Sequence, residues 1–145
     1  MTKVNVGRVV LAGLIAGLII NVFEFIFNGA VLGKQWADAT TALGIKIEQI
    51  NAQSAIGWIA MGFAAGLFTA WLYAAIQPRY GAGARTALFA GLAVWVIIHV
   101  ALGSLVWNGL YPLGLVASSA AGALVSMLAA GWTAGRLYRD EPGAA

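Results

Sequence analysis

The sequence predicts an all-α, polytopic membrane protein with four transmembrane helices and an amphipathic outer segment between helices 1 and 2. The first observation is composition: hydrophobic residues make up 61% of the 145 residues and charged residues only 9%, against about 45–50% and about 25% in soluble chains. The second is spacing, because the few charges leave long uncharged intervals, and about 20 apolar residues suffice to cross a bilayer. A soluble globule and a disordered chain are therefore excluded.

The uncharged intervals give the number and the positions of the spans. Glu24 is the only charge between Arg8 and Lys34, so this interval holds one span. The interval from Glu48 to Arg79 has no charge between its ends and holds a second span. The interval from Arg85 to Arg136 is long enough for two spans, separated by a turn at 108–112 that contains Gly and Pro. We predict spans at about 7–31, 55–77, 85–107 and 113–136 in one domain of residues 1–139, with a short flexible tail at 140–145.

Positive charges collect on one side of this topology. That side carries Lys3, Arg8, Arg79, Arg85, Arg136 and Arg139. The opposite side carries Lys34 and Lys46, offset by Asp38 and Glu48. Because excess Lys and Arg mark the cytoplasmic side, we expect both termini in the cytoplasm. The pI of about 9.6 is then a signal of membrane topology, and we expect no nucleic-acid partner.

The outer segment, residues 33–53, is the only long polar connection. Trp36, Thr40, Leu43, Ile47 and Ile50 recur at spacings of four and three residues, which would align them on one face of a helix. The pattern is typical of a helix lying at the membrane interface. It would act as a lid over the bundle or as a surface for a partner or ligand.

The 19 glycines predict close packing between the spans. Small residues four apart let helix backbones approach each other within a membrane. Such pairs are Gly13 with Gly17 in span one, Gly62 with Gly66 in span two, and Gly131 with Gly135 in span four, where Gly122 belongs to a longer row of small residues. The same pattern is compatible with a homo-oligomer.

Span one also contains polar residues that lipid disfavours. Asn21, Glu24 and Asn28 follow one another at spacings of three and four, which puts them on one face of a helix. A charged side chain in a span costs roughly 2.5–3.5 kcal/mol and normally faces the bundle interior. His99 lies within about one helical turn of the depth of Glu24. We therefore expect Glu24 and His99 to meet directly or through a water, with Asn21 and Asn28 completing the hydrogen bonds.

Two roles for this cluster remain open. It is either a structural clamp that fixes the register of the helices, or a proton- or cation-coupled site at which the carboxyl of Glu24 loads and unloads. One histidine and no cysteine exclude a four-ligand zinc site. A haem held by His99 is not favoured, because an isolated histidine on an apolar helix is more often simply packed. We expect no metal, no cofactor and no enzymatic activity.

The first span ends in Val31-Leu32-Gly33-Lys34-Gln35-Trp36. This exit resembles that of the first span in a family of small bacterial four-helix membrane proteins of unknown function, which are similar in length and in helix count. The resemblance implies the fold and residence in a bacterial inner membrane, and it implies no activity.

Two classes of function follow. The first is a non-catalytic structural or accessory subunit that packs with itself or with a larger membrane complex. The second is an oligomeric proton-coupled transporter of small solutes that uses Glu24. It resembles small multidrug transporters in helix number and in its single first-span glutamate, without their motif, and would need at least a dimer to enclose a site. The lack of catalytic residues and the glycine pattern favour the first.

Overall fold

The computed structural model describes residues 4–46 and 52–139, and every element within them is helical. The elements are α1 (Val6–Glu24), a π-helical segment (Phe25–Val31), α2 (Gly33–Ala42), α3 (Ala52–Tyr80), α4 (Ala84–Leu102), α5 (Ser104–Trp107) and α6 (Leu113–Leu137). In these ranges four helical stretches are long and apolar enough to cross a membrane: Val6–Val31, Ser54–Tyr80, Ala84–Trp107 and Leu113–Leu137. The predicted all-α fold with four such helices is confirmed. The tail at 140–145, Lys3, Glu48, Ile47 and Ile50 lie outside the described residues.

The first span changes helix type after Glu24, the last of the 19 residues of α1. Its start is capped by Asn5, whose Oδ1 accepts a hydrogen bond from the Arg8 N–H at 3.0 Å. After Glu24 the backbone becomes π-helical, and the N–H of Leu32 donates to the carbonyl oxygen of Phe27, five residues back, at 2.9 Å. A π-turn contains one residue more than an α-turn. Residues beyond Glu24 therefore face a different direction from the one that a continuous α-helix would give them.

The segment after the first span forms α2, which covers one end of the bundle, here called the α2 end. The ring of Trp36 lies edge-on to that of Tyr111, with centroids 5.2 Å apart. The hydroxyl of Thr40 lies 3.5 Å from that of Tyr111. The helix ends at Ala42, and Gly44 follows with φ +76°, the left-handed conformation that commonly terminates helices. Among the described residues the helix carries the predicted face only as far as Thr40, since Leu43 lies beyond the helix and is exposed.

The other spans differ from their predicted bounds by a few residues. α3 continues to Tyr80, with Pro78 in its last turn. It ends where Gly81 takes φ +85° and donates its N–H to the backbone carbonyl oxygen of Gln77 at 2.8 Å. Gly103 separates α4 from the single turn of α5. Its φ of −56° and ψ of −26° remain helical, so α4 and α5 form one span.

Helix α6 is the centre of the bundle. It packs against α1, α3 and α4, whereas α1 packs mainly on α3 and α6, and α4 mainly on α6 and α3. Consequently α6 lies between the first and third spans. This arrangement determines which polar side chains can reach each other.

Glycines allow the backbones of α1 and α3 to touch. A Cβ atom added to Gly66 would lie 2.5 Å from the carbonyl oxygen of Gly13 and closer still to the backbone nitrogen of Gly17. Cβ atoms at Gly13 and Gly17 would each lie 2.7 Å from the Cα of a residue on α3, Leu67 and Phe63 respectively. Such contacts leave no room for any side chain, so α1 and α3 are in backbone contact along this stretch.

The remaining predicted packing glycines also lie at helix contacts. Gly131 faces α4, where an added Cβ would lie 2.5 Å from the carbonyl oxygen of Ala87 and 3.0 Å from the nitrogen of Gly91. Gly91 was not among the predicted packing residues, although Ala87 four residues before it completes a pair of small residues. The other three face side chains: Gly62 faces Asn21, Gly122 faces the ring of Phe27, and Gly135 faces Ala87.

Two alanine substitutions in α3 separate packing from helix propensity. Gly66→Ala should lower the free energy of unfolding by about 1–3 kcal/mol, because the methyl group overpacks a backbone contact. Gly57→Ala in the same helix meets nothing within 4 Å and should leave stability unchanged or raise it by up to about 1 kcal/mol. Reversible unfolding in dodecyl maltoside with increasing SDS measures both. Equal losses for the two variants would contradict backbone contact between α1 and α3.

Candidate functional site

Glu24 is turned towards the interior of the bundle, where both of its carboxyl oxygens have partners. Nδ2 of Asn28 donates to Oε2 at 2.6 Å, and Oγ of Ser126 lies 3.1 Å from Oε1. Ser126 is fully buried on α6 and Glu24 is half-buried. The single hydroxyl hydrogen of Ser126 is shared between Glu24 and the carbonyl oxygen of Ala123, 3.0 Å away. The carboxyl group therefore joins the first span to α6.

Asn28 extends these contacts to a third element. While its Nδ2 donates to Glu24, its Oδ1 accepts from Nε1 of Trp36 at 2.9 Å and from Oγ of Ser119 at 2.8 Å. An amide oxygen has two lone pairs, and both are used here. We call Glu24, Asn28, Trp36, Ser119 and Ser126 the polar network. It connects the first span, α2 and α6 at the α2 end.

The local geometry of two helices makes this network. Ser119 and Ser126 are seven residues apart, or about two turns, and so lie on the same face of α6. Between them Gly122 accommodates the ring of Phe27, which brings the π-helical segment close to α6. The π-turn directs both Phe27 and Asn28 to this face.

Asn21 is not part of the network, although the sequence pattern groups it with Asn28. Its Nδ2 donates to the carbonyl oxygens of Gly17 and of Ile59, at 3.0 and 3.2 Å. It therefore faces α3, beside Gly62. Residues seven apart share a face only in a continuous α-helix, and the π-helical segment lies between the two asparagines.

His99 lies elsewhere in the bundle. Its Nδ1 is 2.8 Å from the carbonyl oxygen of Trp95, and its ring stacks on that of Trp95 with centroids 5.0 Å apart. Across residues 4–46 and 52–139 no hydrogen bond links His99 with Glu24, Asn21 or Asn28. Of the two forms expected, the direct hydrogen bond between Glu24 and His99 is therefore not formed, and α6 lies between their helices.

Instead, His99 lines a shallow groove of about 300 Å³ along α4 and α5. The other groove residues are Trp95, Val96, Val100, Gly103 and Trp107. The indole of Trp95 donates to the carbonyl oxygen of Ala120 on α6 at 2.8 Å. Trp95 is thus anchored to α6, and His99 is held against it.

The polar network is held together by neutral donors. Lys34 and Asp38 form the only ion pair in the described part of the chain, at 2.6 Å, with side chains 85% and 65% exposed. An exposed pair of this kind contributes little to stability. The described residues also contain no group of three His, Cys, Asp or Glu side chains that could hold a metal ion. Chemically, the polar network forms hydrogen bonds that link the first span, α2 and α6.

Sequence reasoning missed three members of the network. The sequence pattern does not single out Ser119 or Ser126, and it places Trp36 on the face of the outer segment without assigning it a partner. The spacing of seven between the two serines was a usable signal. It predicts a polar stripe on α6 that a polar residue of another helix has to meet.

Replacing Asn28, which makes the most hydrogen bonds in the polar network, should destabilise the fold. Asn28→Leu removes the donor to Glu24 and the acceptor for Trp36 and Ser119, so the free energy of unfolding should fall by about 1–3 kcal/mol. Asn108→Leu is the matched control, because Asn108 is exposed and its side chain bonds only the carbonyl oxygen of Ser104. SDS titration in dodecyl maltoside measures both. A loss for Asn28→Leu no larger than for the control would disprove the network's role in stability.

Double-mutant cycles distinguish the observed partner of Glu24 from the expected one. Glu24→Ala and Ser126→Ala should show a coupling energy of about 0.5 kcal/mol or more, because the two side chains are in contact. Glu24→Ala and His99→Leu should be additive within about 0.5 kcal/mol, because they share no partner. The opposite order of coupling energies would favour a Glu24–His99 pair.

Comparisons of the chain with protein-family models, with curated proteins and with solved structures found no match. The resemblance of the exit from the first span to a bacterial membrane-protein family thus stays a prediction, and the functional argument rests on the geometry of the site.

Proposed function

We propose that this chain is a small integral membrane helix bundle with a non-catalytic structural or accessory role, packing with itself or with a larger membrane complex. In this proposal Glu24 is a clamp that holds the α2 end of the bundle together. The bilayer is its solvent, and it uses no cofactor.

One observation carries the proposal: both oxygens of Glu24 are engaged within a single chain. Asn28 and Ser126 occupy them, and both lone pairs of the Asn28 amide oxygen are taken by Trp36 and Ser119. A coupling carboxyl has to exchange its partners when it loads and unloads. A carboxyl held by Asn28 and Ser126, within a network that joins the first span, α2 and α6, is better suited to fixing the arrangement of these elements.

The third span supports the idea of a packing partner. In its most apolar window only 17% of the residues are buried inside the bundle, against 28–39% for the other three spans. Its groove beside His99 and Trp107 adds a concave, apolar surface. A second chain of this protein or a subunit of a larger complex would cover this helix in our proposal.

The arrangement of charges supports the orientation. The end opposite to α2 carries Arg8, Arg79, Arg85, Arg136 and Arg139, whereas the α2 end carries Lys34 with Asp38 and Lys46. We therefore propose that both termini are cytoplasmic. The proposal of a bacterial inner membrane rests on the resemblance of residues 31–36 alone.

A second function has an observation of its own in its favour. The π-helical segment begins directly after Glu24, and π-helical turns are frequent at functional sites. Glu24 is also only half-buried. Both features would suit an oligomeric proton-coupled transporter in which Glu24 changes its partners.

Proton flux in liposomes separates these functions. We expect reconstituted wild-type protein to show no more flux than empty liposomes, with or without ethidium as a probe cation, under an imposed pH gradient read by pyranine. We expect Glu24→Gln to behave in the same way and to keep most of the stability, because an amide still bonds Asn28 and Ser126. Glu24→Ala should be the least stable variant.

Asp38→Asn is the matched control, since it removes an exposed carboxylate from α2. Ethidium-dependent proton flux that Glu24→Gln abolishes and Asp38→Asn retains would overturn the structural role and support transport. Native mass spectrometry of the protein extracted with its membrane neighbours tests the accessory role. A strictly monomeric chain would contradict it.

A further inference from the structure

The end of the bundle opposite to α2 contains a cleft that the proposed function does not use. It is formed by the ends of α3, α4 and α6 and has a volume of about 470 Å³, within the range of about 300–1,000 Å³ typical of small-molecule sites. The residues that line it include Tyr73, Gln77, Gly83, Trp132, Arg136 and Arg139.

The charge of this cleft is positive. Arg136 and Arg139 line it, and no Asp or Glu is among the described residues that line it. The described carboxyl side chains, Glu24 and Asp38, lie at the α2 end, and neither arginine forms an ion pair within residues 4–46 and 52–139. The cleft therefore attracts anions.

One of the two arginines is held in place at the cleft. The guanidinium carbon of Arg136 lies 4.9 Å from the ring centroid of Trp132, a distance at which a cation is attracted to the face of an aromatic ring. This contact fixes the guanidinium group at the edge of the cleft while leaving its N–H groups available for an anion.

A buried hydroxyl group supplies an independent observation. Tyr73 is 2% exposed and lines the cleft. Its oxygen accepts a hydrogen bond from the N–H of Gly83 at 3.1 Å, but its own hydrogen has no acceptor in the described part of the chain. A buried donor without an acceptor is costly. A ligand oxygen in the cleft would supply the missing acceptor.

We propose that this cleft binds a phosphate group, carried by the headgroup of an anionic phospholipid or free in solution. Arg136, Arg139 and Tyr73 all present donors, and guanidinium groups match the geometry of phosphate oxygens. The position at the ends of the spans favours the lipid, since basic pockets between transmembrane helices are typical headgroup sites. This cleft is separate from the polar network, and the proposal does not depend on the function of that network.

Binding of short-chain lipids to the full-length protein in dodecyl maltoside tests the proposal. We expect dihexanoyl phosphatidylglycerol to bind, and dihexanoyl phosphatidylcholine to bind about tenfold more weakly or not at all. The double variant Arg136→Gln and Arg139→Gln should weaken binding about tenfold or more, because each substitution removes a hydrogen bond between a guanidinium group and the charged phosphate. Tyr73→Phe should weaken it about threefold or more through the loss of one neutral donor.

The matched control is the double variant Arg8→Gln and Arg79→Gln, which removes the same charge from exposed positions that do not line the cleft. It should change the Kd less than twofold. Equal weakening by both double variants, or equal binding of both lipids, would overturn the proposal. Circular dichroism and size-exclusion profiles identify any variant that fails to fold, and the two single arginine variants then replace the double one.

Inorganic phosphate decides between the two sources. Competition by phosphate only at concentrations far above the Kd of phosphatidylglycerol assigns the site to the lipid, and tight phosphate binding assigns it to the free anion. Asp140 and Glu141 follow Arg139 in the sequence. Lipid binding that appears only after Asp140→Asn and Glu141→Gln would also overturn the proposal, because these carboxylates would then be the ligands of the arginines.

Discussion

The structure depends on one constraint: a side chain inside an apolar bundle has to find its hydrogen-bond partners within the chain, because lipid offers none. Within the described residues every buried side-chain nitrogen and oxygen atom has a partner. Glu24 is the most demanding case, and it is satisfied by neutral donors on its own helix and on α6. Asn28, which donates to Glu24, also accepts a hydrogen bond from Trp36 of α2. The hydrogen bonding of one carboxyl group thus helps to position α2.

The glycines make such short contacts attainable. α1 meets α3 through Gly13, Gly17 and Gly66, with backbone atoms touching. α6 meets α4 in the same way through Gly131. Between α6 and the first span, Gly122 accommodates the ring of Phe27, and there Ser126 of α6 reaches Glu24. The two ends of the bundle then differ in chemistry: hydrogen bonds close the α2 end, while arginines surround an open cleft at the other end.

Much of the site was predictable, and the missing part has two physical causes. The sequence correctly identified Glu24 and Asn28 as unusual for a span, but it grouped them with Asn21 and His99. The π-helical segment puts Asn28 on a different face of the first span from Asn21, whereas grouping residues by spacings of three and four assumes a continuous α-helix. The order of the helices around α6 then separates His99 from Glu24. Distance along the spans, which residue counts provide, carries no information on which helices are neighbours.

The sequence by itself determined the helical class, the number of spans and the side on which the positive charges collect. These properties depend on composition and on distance along the chain, because apolar length decides what crosses a bilayer. Only the tertiary structure decided which side chains meet. Glu24 pairs with Ser126, and Tyr73 and Arg136 line one cleft. Both arrangements depend on the rotation of each helix about its axis and on which helices are its neighbours. Those are set by close packing among all four spans together.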